Sequence, residues 1–146
     1  MLAGSDIAGS LDDLRARVQQ LEIGEIVSVN GPTWGEQKEE LLDQTDYFLG
    51  IFRYAGMARA CGEAVARGIP LLASREGSWG DWVERYSFGY AVALDPDHIY
   101  ECINKAVNID KQAYFEFSRN AYKWATDNSW EKVAEQFCEQ YENIVN

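Results

Sequence analysis

The stretch "RYAGMARACGEAVARGIPLLAS", residues 53 to 74, decides how this chain folds. Its final part, "PLLAS" (70–74), is short, apolar and uncharged, which is the composition of a strand covered on both faces. The part before it, "MARACGEAVARG" (57–68), reads as a helix closed by Gly68 and Pro70, a glycine past the last turn and a proline that cannot extend it. Immediately upstream, "YFLGIF" (47–52) is another uninterrupted apolar run. The stretch is thus the core of a strand, helix, strand unit.

The same alternation extends in both directions. "IVSVNG" (26–31) and "YAVAL" (90–94) read as further strands, and "MLAG" at the start as the tail of another. "SLDDLRARVQQL" (10–21) places Leu11, Leu14, Val18 and Leu21 at steps of three and four behind a Ser10 and Asp13 start signal, the pattern of an amphipathic helix. "GEQKEELLDQT" (35–45) and "SWGDWVERY" (78–86) are two more helices. Parallel neighbours need a crossover connection, and such crossovers are right-handed. The expected fold is therefore α/β: a doubly wound, Rossmann-like parallel sheet with helices on both faces.

From Pro96 the pattern is helical only, over 96–107, 110–126 and "SWEKVAEQFCEQYENIV" (129–145), the last capped by Ser129. Trp130, Val133, Phe137, Tyr141 and Ile144 form a stripe along that last helix. No linker or internal repeat divides the chain, so residues 1–146 are expected to form one domain with 96–146 as its helical C-terminal portion.

Composition narrows the function classes. A chain of 146 residues with 47% hydrophobic and 25% charged residues can bury one core. Its net charge of -11 opposes association with nucleic acid or an anionic membrane, so an anionic ligand has to be held by locally arranged donors. No apolar run approaches the roughly 18 residues of a membrane span and no export signal opens the chain, so a cytoplasmic location is expected. Cys61, Cys102 and Cys138 are odd in number and widely spaced, and His98 is the only histidine. They form neither a disulfide framework nor a zinc site, and no metal is expected.

In open α/β sheets ligands bind where strands lead into helices at their carboxyl ends. The loop after "YFLGIF" carries Arg53, Tyr54, Ala55, Gly56 and Met57. Gly56 permits close approach to the main chain, and the amides of Met57, Ala58 and Arg59 at a helix start suit phosphate. Arg53 and Arg59 add fork-like donors. Glu63, further along the helix, has a carboxylate suited to vicinal hydroxyls such as those of a ribose. Read alone, it equally fits a solvated helix position. Trp79, Trp82 and Trp34 offer faces to a sugar or base, whereas Trp124 and Trp130 fit packing. Asp81 fits either a ligand contact or a helix cap.

Beyond these readings, the chain resembles the C-terminal, nucleotide-binding half of the retaining GT-B glycosyltransferases often called family 4 or glycosyltransferase group 1. The likeness rests on "RYAGMARACGEAVARGIPLLAS", on "SREGSWGDWVERYSFGYAV" with Gly77, Asp81 and Gly89 in register, and on the terminal "SWEKVAEQFCEQYENIV". It implies a carbohydrate-building transferase that takes a nucleotide-diphosphate sugar as donor substrate, without cofactor or metal. Glu63 then matches the glutamate that binds the ribose hydroxyls. Gly56, Met57 and Ala58 match the loop that holds the diphosphate or sugar, and Asp81 replaces a glutamate near the donor.

Two departures stand out. Ala55 occupies the position of the family's other glutamate, which contacts the transferred sugar, and a methyl group cannot accept a sugar hydroxyl. The resemblance therefore identifies no catalytic residue here, and Ala55 argues against full activity of this chain alone. The sequence also starts at what resembles the family's second strand, so the resemblance implies either a gap beside "FLGIF" or a re-pairing of the strands there. An N-terminal acceptor domain or partner chain would then supply the rest. The alternative is a non-catalytic nucleotide-binding or protein-interaction module derived from such a half-domain.

Overall fold

The computed structural model describes residues 1–4, 9–53 and 58–145, which fall into two compact units, 1–44 and 45–146. The first contains β1 (Leu2–Ala3), α1 (Ser10–Gln20), β2 (Val29–Asn30) and α2 (Gly35–Asp43). β1 and β2 pair in parallel, Leu2 beside Val29 and Ala3 beside Asn30. The apolar run 26–31 yields only a two-residue strand because the amides of Ile26 and Val27 bond back to the Ile23 carbonyl, at 3.0 and 2.9 Å. Nor does Ser10 cap α1: it is already the first helical residue, and Gly9, at φ 79°, takes the capping position in a conformation that glycine adopts readily.

The second unit contains β3 (Phe48–Gly50), α3 (Arg59–Ala66), β4 (Leu71–Ser74), α4 (Ser78–Tyr86), β5 (Gly89–Val92), α5 (Pro96–Val107), α6 (Lys111–Asp127) and α7 (Trp130–Val145). Its three strands lie in the order β3, β4, β5 and all run parallel. β4 is the central strand and all four of its residues are buried. Among the described residues β3 has β4 as its ladder partner within this sheet.

Helices cover both faces of this sheet, as expected of a doubly wound fold. On one face Leu72 and Val92 pack with Cys102 and Ala106 of α5, with Ile99 and Ile103 around them. On the other, α3 approaches β3 so closely that a Cβ at Gly50 would lie 2.6 Å from Cys61 Sγ. α4 comes equally close to the end of β4, where a Cβ at Gly80 would lie 2.5 Å from the Ser74 carbonyl oxygen. These positions need glycine for space. α6 packs on α3, and Trp124 from α6 joins Trp79 and Phe88 in an aromatic group.

Three helix starts in this unit carry side-chain caps. Asp95 accepts the His98 amide at 3.0 Å ahead of Pro96, and Asp110 accepts the Ala113 amide at 2.9 Å. Ser129 accepts the Lys132 amide at 3.4 Å, which caps α7 as its sequence indicates.

Candidate functional site

The carboxyl ends of β3, β4 and β5 lie on one side of a parallel sheet, and side chains pin two of the three exits. Ser74, 2% exposed at the end of β4, accepts the Phe52 amide and donates to the Phe52 carbonyl oxygen, both at 3.0 Å. Its hydroxyl thereby carries the β3 to β4 pairing one step beyond the last ladder residue, Gly50, and fixes the segment that leads to Arg53. At the exit from β5, the His98 ring accepts the Ala93 amide through Nδ1 at 3.1 Å. The backbone that carries any ligand at this edge is therefore held by side-chain hydrogen bonds as well as by the ladders.

Arg53 sits just past β3 and is exposed. It borders a cavity of about 620 Å3 whose other walls are Ile51, Leu94, Pro96 and Ile99, at the ends of β3 and β5. One cation against apolar walls suits a ligand with an anionic part and a flat or apolar part.

Ala58, half-buried with φ -70° and ψ 108°, is the N-cap of α3, and Arg59 is its first residue and exposed. α3 has no acidic residue in its first turn and no side-chain cap, so the positive end of its backbone dipole is uncompensated from within the helix. Gly56, Met57 and Ala55 lie outside the described residues. Glu63 is half-buried one turn further along α3, between the buried residues Cys61 and Ala64. Burial pushes the Cys61 thiol up to about 12, so it serves as a neutral packing group beneath the helix.

Asp81 is exposed in the first turn of α4. It does not cap that helix, whose N-cap is Gly77 without a side-chain hydrogen bond. The structure thus places Arg53, Ala58, Arg59, Glu63 and Asp81 on the segments that follow β3 and β4.

The tryptophans divide differently. Trp79 is 3% exposed and packs edge-on against Trp82 at 5.0 Å and against Trp124 at 5.3 Å, so no sugar can stack on it. Trp82 is half-buried in the same group, and Trp34 is exposed at the N-cap of α2. Trp124 packs as anticipated, but Trp130 does not: it is 87% exposed.

Ser74 and His98 hold the backbone at two strand exits, which sequence reasoning missed. The serine is visible in "LLAS" as a polar residue ending an apolar strand, and the histidine as a helix-start residue after Asp95 and Pro96. Their partners only emerge from the fold. Among the described residues no group of three or more histidine, cysteine or carboxylate side chains is placed to hold a metal ion, and no helix is long and apolar enough to cross a membrane.

A family model described as glycosyl transferases group 1 matches residues 3–124. No curated protein matches the chain. Among solved structures it is similar to Anabaena Alr3699/HepE in complex with UDP and glucose, at 19% identity and a TM-score of 0.75. The match takes in 97% of this chain and 40% of that one, so the chain spans well under half the length of the structure it resembles.

Proposed function

Because the chain belongs to the group 1 glycosyl transferases, we propose that it forms the donor-binding part of a sugar transferase that takes a nucleotide-diphosphate sugar. The observation that carries this reading is the clustering of Arg53, Ala58, Arg59 and Glu63 on the segment that leaves β3 at the carboxyl edge of a parallel sheet. In this reading the diphosphate lies at the start of α3, against the amides of Ala58 and Arg59. The Arg53 and Arg59 guanidinium groups flank it. Glu63 accepts the ribose hydroxyls, and Asp81 borders the sugar.

The reaction proposed is transfer of a hexosyl group with retention of configuration and without a metal. The bond between the anomeric carbon and the diphosphate oxygen breaks, while an acceptor hydroxyl oxygen forms the new bond to that carbon on the same face and gives up its proton to the departing diphosphate. The helix terminus with its arginines stabilises the charge gathering on the diphosphate. The acceptor enters from an N-terminal acceptor domain or a partner chain, which completes the enzyme.

Calorimetric titration of the chain with UDP and with GDP tests the site. Saturable binding of either nucleotide, weakened about tenfold or more by Glu63→Gln, supports it; one lost charge-assisted hydrogen bond is worth about 1.5 to 3 kcal/mol. Absence of binding by both, or equal affinity in Glu63→Gln, would refute it.

A further inference from the structure

The exit from β5 is held by a titratable side chain. The ladder between β4 and β5 ends where the Arg75 amide donates to the Val92 carbonyl, at 3.0 Å. The next amide on β5, that of Ala93, donates instead to Nδ1 of His98 at 3.1 Å. The local sequence brings the ring there by a short route. The Asp95 amide turns back to the Ala93 carbonyl at 2.8 Å, Asp95 and Pro96 open α5, and the Asp95 carboxylate accepts the His98 amide at 3.0 Å. Helical side chains lean towards the N-terminus, so the ring at the third position of α5 lies back over the strand that the chain has just left.

This bond selects one form of the imidazole. A ring nitrogen that accepts a backbone N–H carries no proton of its own, so the proton of the neutral ring is on Nε2. Adding a proton to Nδ1 sets two donors face to face, and the bond to Ala93 is lost. Cys102 Sγ lies 3.7 Å from the same nitrogen. Burial raises this thiol above its ordinary range, so it stays neutral and is a weak partner for either form of the ring. The remaining charged or titratable groups of the neighbourhood are Asp95, Asp97, Glu101 and Lys105 from the start and body of α5, Tyr90 on β5, and Arg75 past β4, which Glu84 engages at 3.6 Å. Among the described residues the ring's own partners are the Ala93 amide and the Cys102 thiol, so no carboxylate compensates protonation by a direct bond.

The segment that the ring holds also shapes the edge of the sheet. Leu94, Pro96 and Ile99 wall the cavity beside Arg53. We propose that His98 is a proton-operated latch on the exit from β5. Neutral, it ties Ala93 to α5 and keeps Leu94, Pro96 and Ile99 in place; protonated from solvent, it frees the turn from Ala93 to Asp95 and that side of the cavity opens. The open form binds one proton more than the latched form. Opening is therefore favoured as pH falls below the ordinary imidazole value of about 6.5, by up to about tenfold per pH unit.

Amide exchange of the full chain, followed by NMR from about pH 8 to about pH 5 and corrected for the intrinsic exchange rate, tests the latch and requires no nucleotide. Protection at Ala93 should fall by up to about tenfold per unit below about pH 6.5, while the Phe52 amide, held by the Ser74 hydroxyl, keeps its protection. His98→Asn offers a side-chain carbonyl oxygen near the place of Nδ1, an acceptor that does not titrate, so protection at Ala93 should become independent of pH; His98→Ala should lose it at every pH. In the parent at about pH 8, the imidazole nitrogen spectrum should show Nδ1 without a proton. A proton on Nδ1 at that pH, constant protection at Ala93 in the parent, an equal fall at Phe52, or a fall of the same size in His98→Asn would overturn the proposal.

Discussion

Replacing Ser74 by alanine probes the element that positions the candidate site without touching any proposed ligand contact. The hydroxyl is buried and makes two hydrogen bonds to one residue of the neighbouring strand, accepting from the Phe52 amide and donating to the Phe52 carbonyl. Ser74→Ala loses both and leaves a partly buried amide and carbonyl without partners. At about 1 to 2 kcal/mol for each, the expected loss is roughly 2 to 4 kcal/mol. The methyl fits the space of the serine Cβ, so no overpacking is added. Urea unfolding followed by tryptophan emission reports on this unit, since Trp79, Trp82 and Trp124 form one group inside it. With a slope of about 2 kcal/mol per molar, the midpoint should fall by about 1 to 2 M. The Phe52 amide should also exchange with solvent much faster than in the parent. A midpoint within 0.3 M of the parent, or unchanged exchange at Phe52, would show that the strand exit is held by something other than this hydroxyl.

Further expectations follow from buried groups. Thiol alkylation near neutral pH should label Cys138 alone, because Cys61 and Cys102 are buried and burial raises both thiols, Cys61 to about 12; mass spectrometry of the labelled peptides reads this directly. Tyr47 is pushed up to about 12, first by burial, and its hydroxyl has no hydrogen-bond partner among the described residues. Its neutral form is favoured in the fold, so its contribution is complete below pH 10 and is lost as pH rises from about 10 towards 12. Tyr47→Phe should flatten that alkaline decline in thermal stability without lowering stability at neutral pH. Gly50→Ala should cost about 1 to 3 kcal/mol, because the new methyl meets Cys61 Sγ. In urea unfolding, Gly50→Ala combined with Cys61→Ala should cost less than the sum of the two single changes; strict additivity would show that α3 is free to move off β3.

Local chemistry explains how much of the fold was legible. "SWGDWVERY" and the segment from Pro96 to Val107 form helices with the bounds their sequences indicate, because glycine, Asp95 and Pro96 are punctuation that acts within a few residues. "PLLAS" forms the central strand because it is apolar on both faces. The runs 26–31 and 47–52 are just as apolar yet give strands of two and three residues. Strand length depends on a partner's register, which a single run does not encode.

The site divides in the same way. Arg53, Ala58, Arg59 and Glu63 were found because they cluster within eleven residues of one segment. The roles of Ser74 and His98 stayed hidden: Ser74 acts on a residue 22 positions away, and His98 accepts an amide five positions back through its ring. Trp79 looked accessible because it follows a strand end, but α4 begins at Ser78 and turns its ring into the core.

The central claim is that a nucleotide diphosphate settles where β3 leads into α3. Amide chemical shifts of the labelled chain, followed through a titration with UDP and GDP, test it most directly. The account predicts saturable shifts concentrated at Arg53 and over Ala58 to Glu63, with Phe52 following through Ser74 and with α7 silent. Saturable shifts centred elsewhere, or none with either nucleotide, would contradict it.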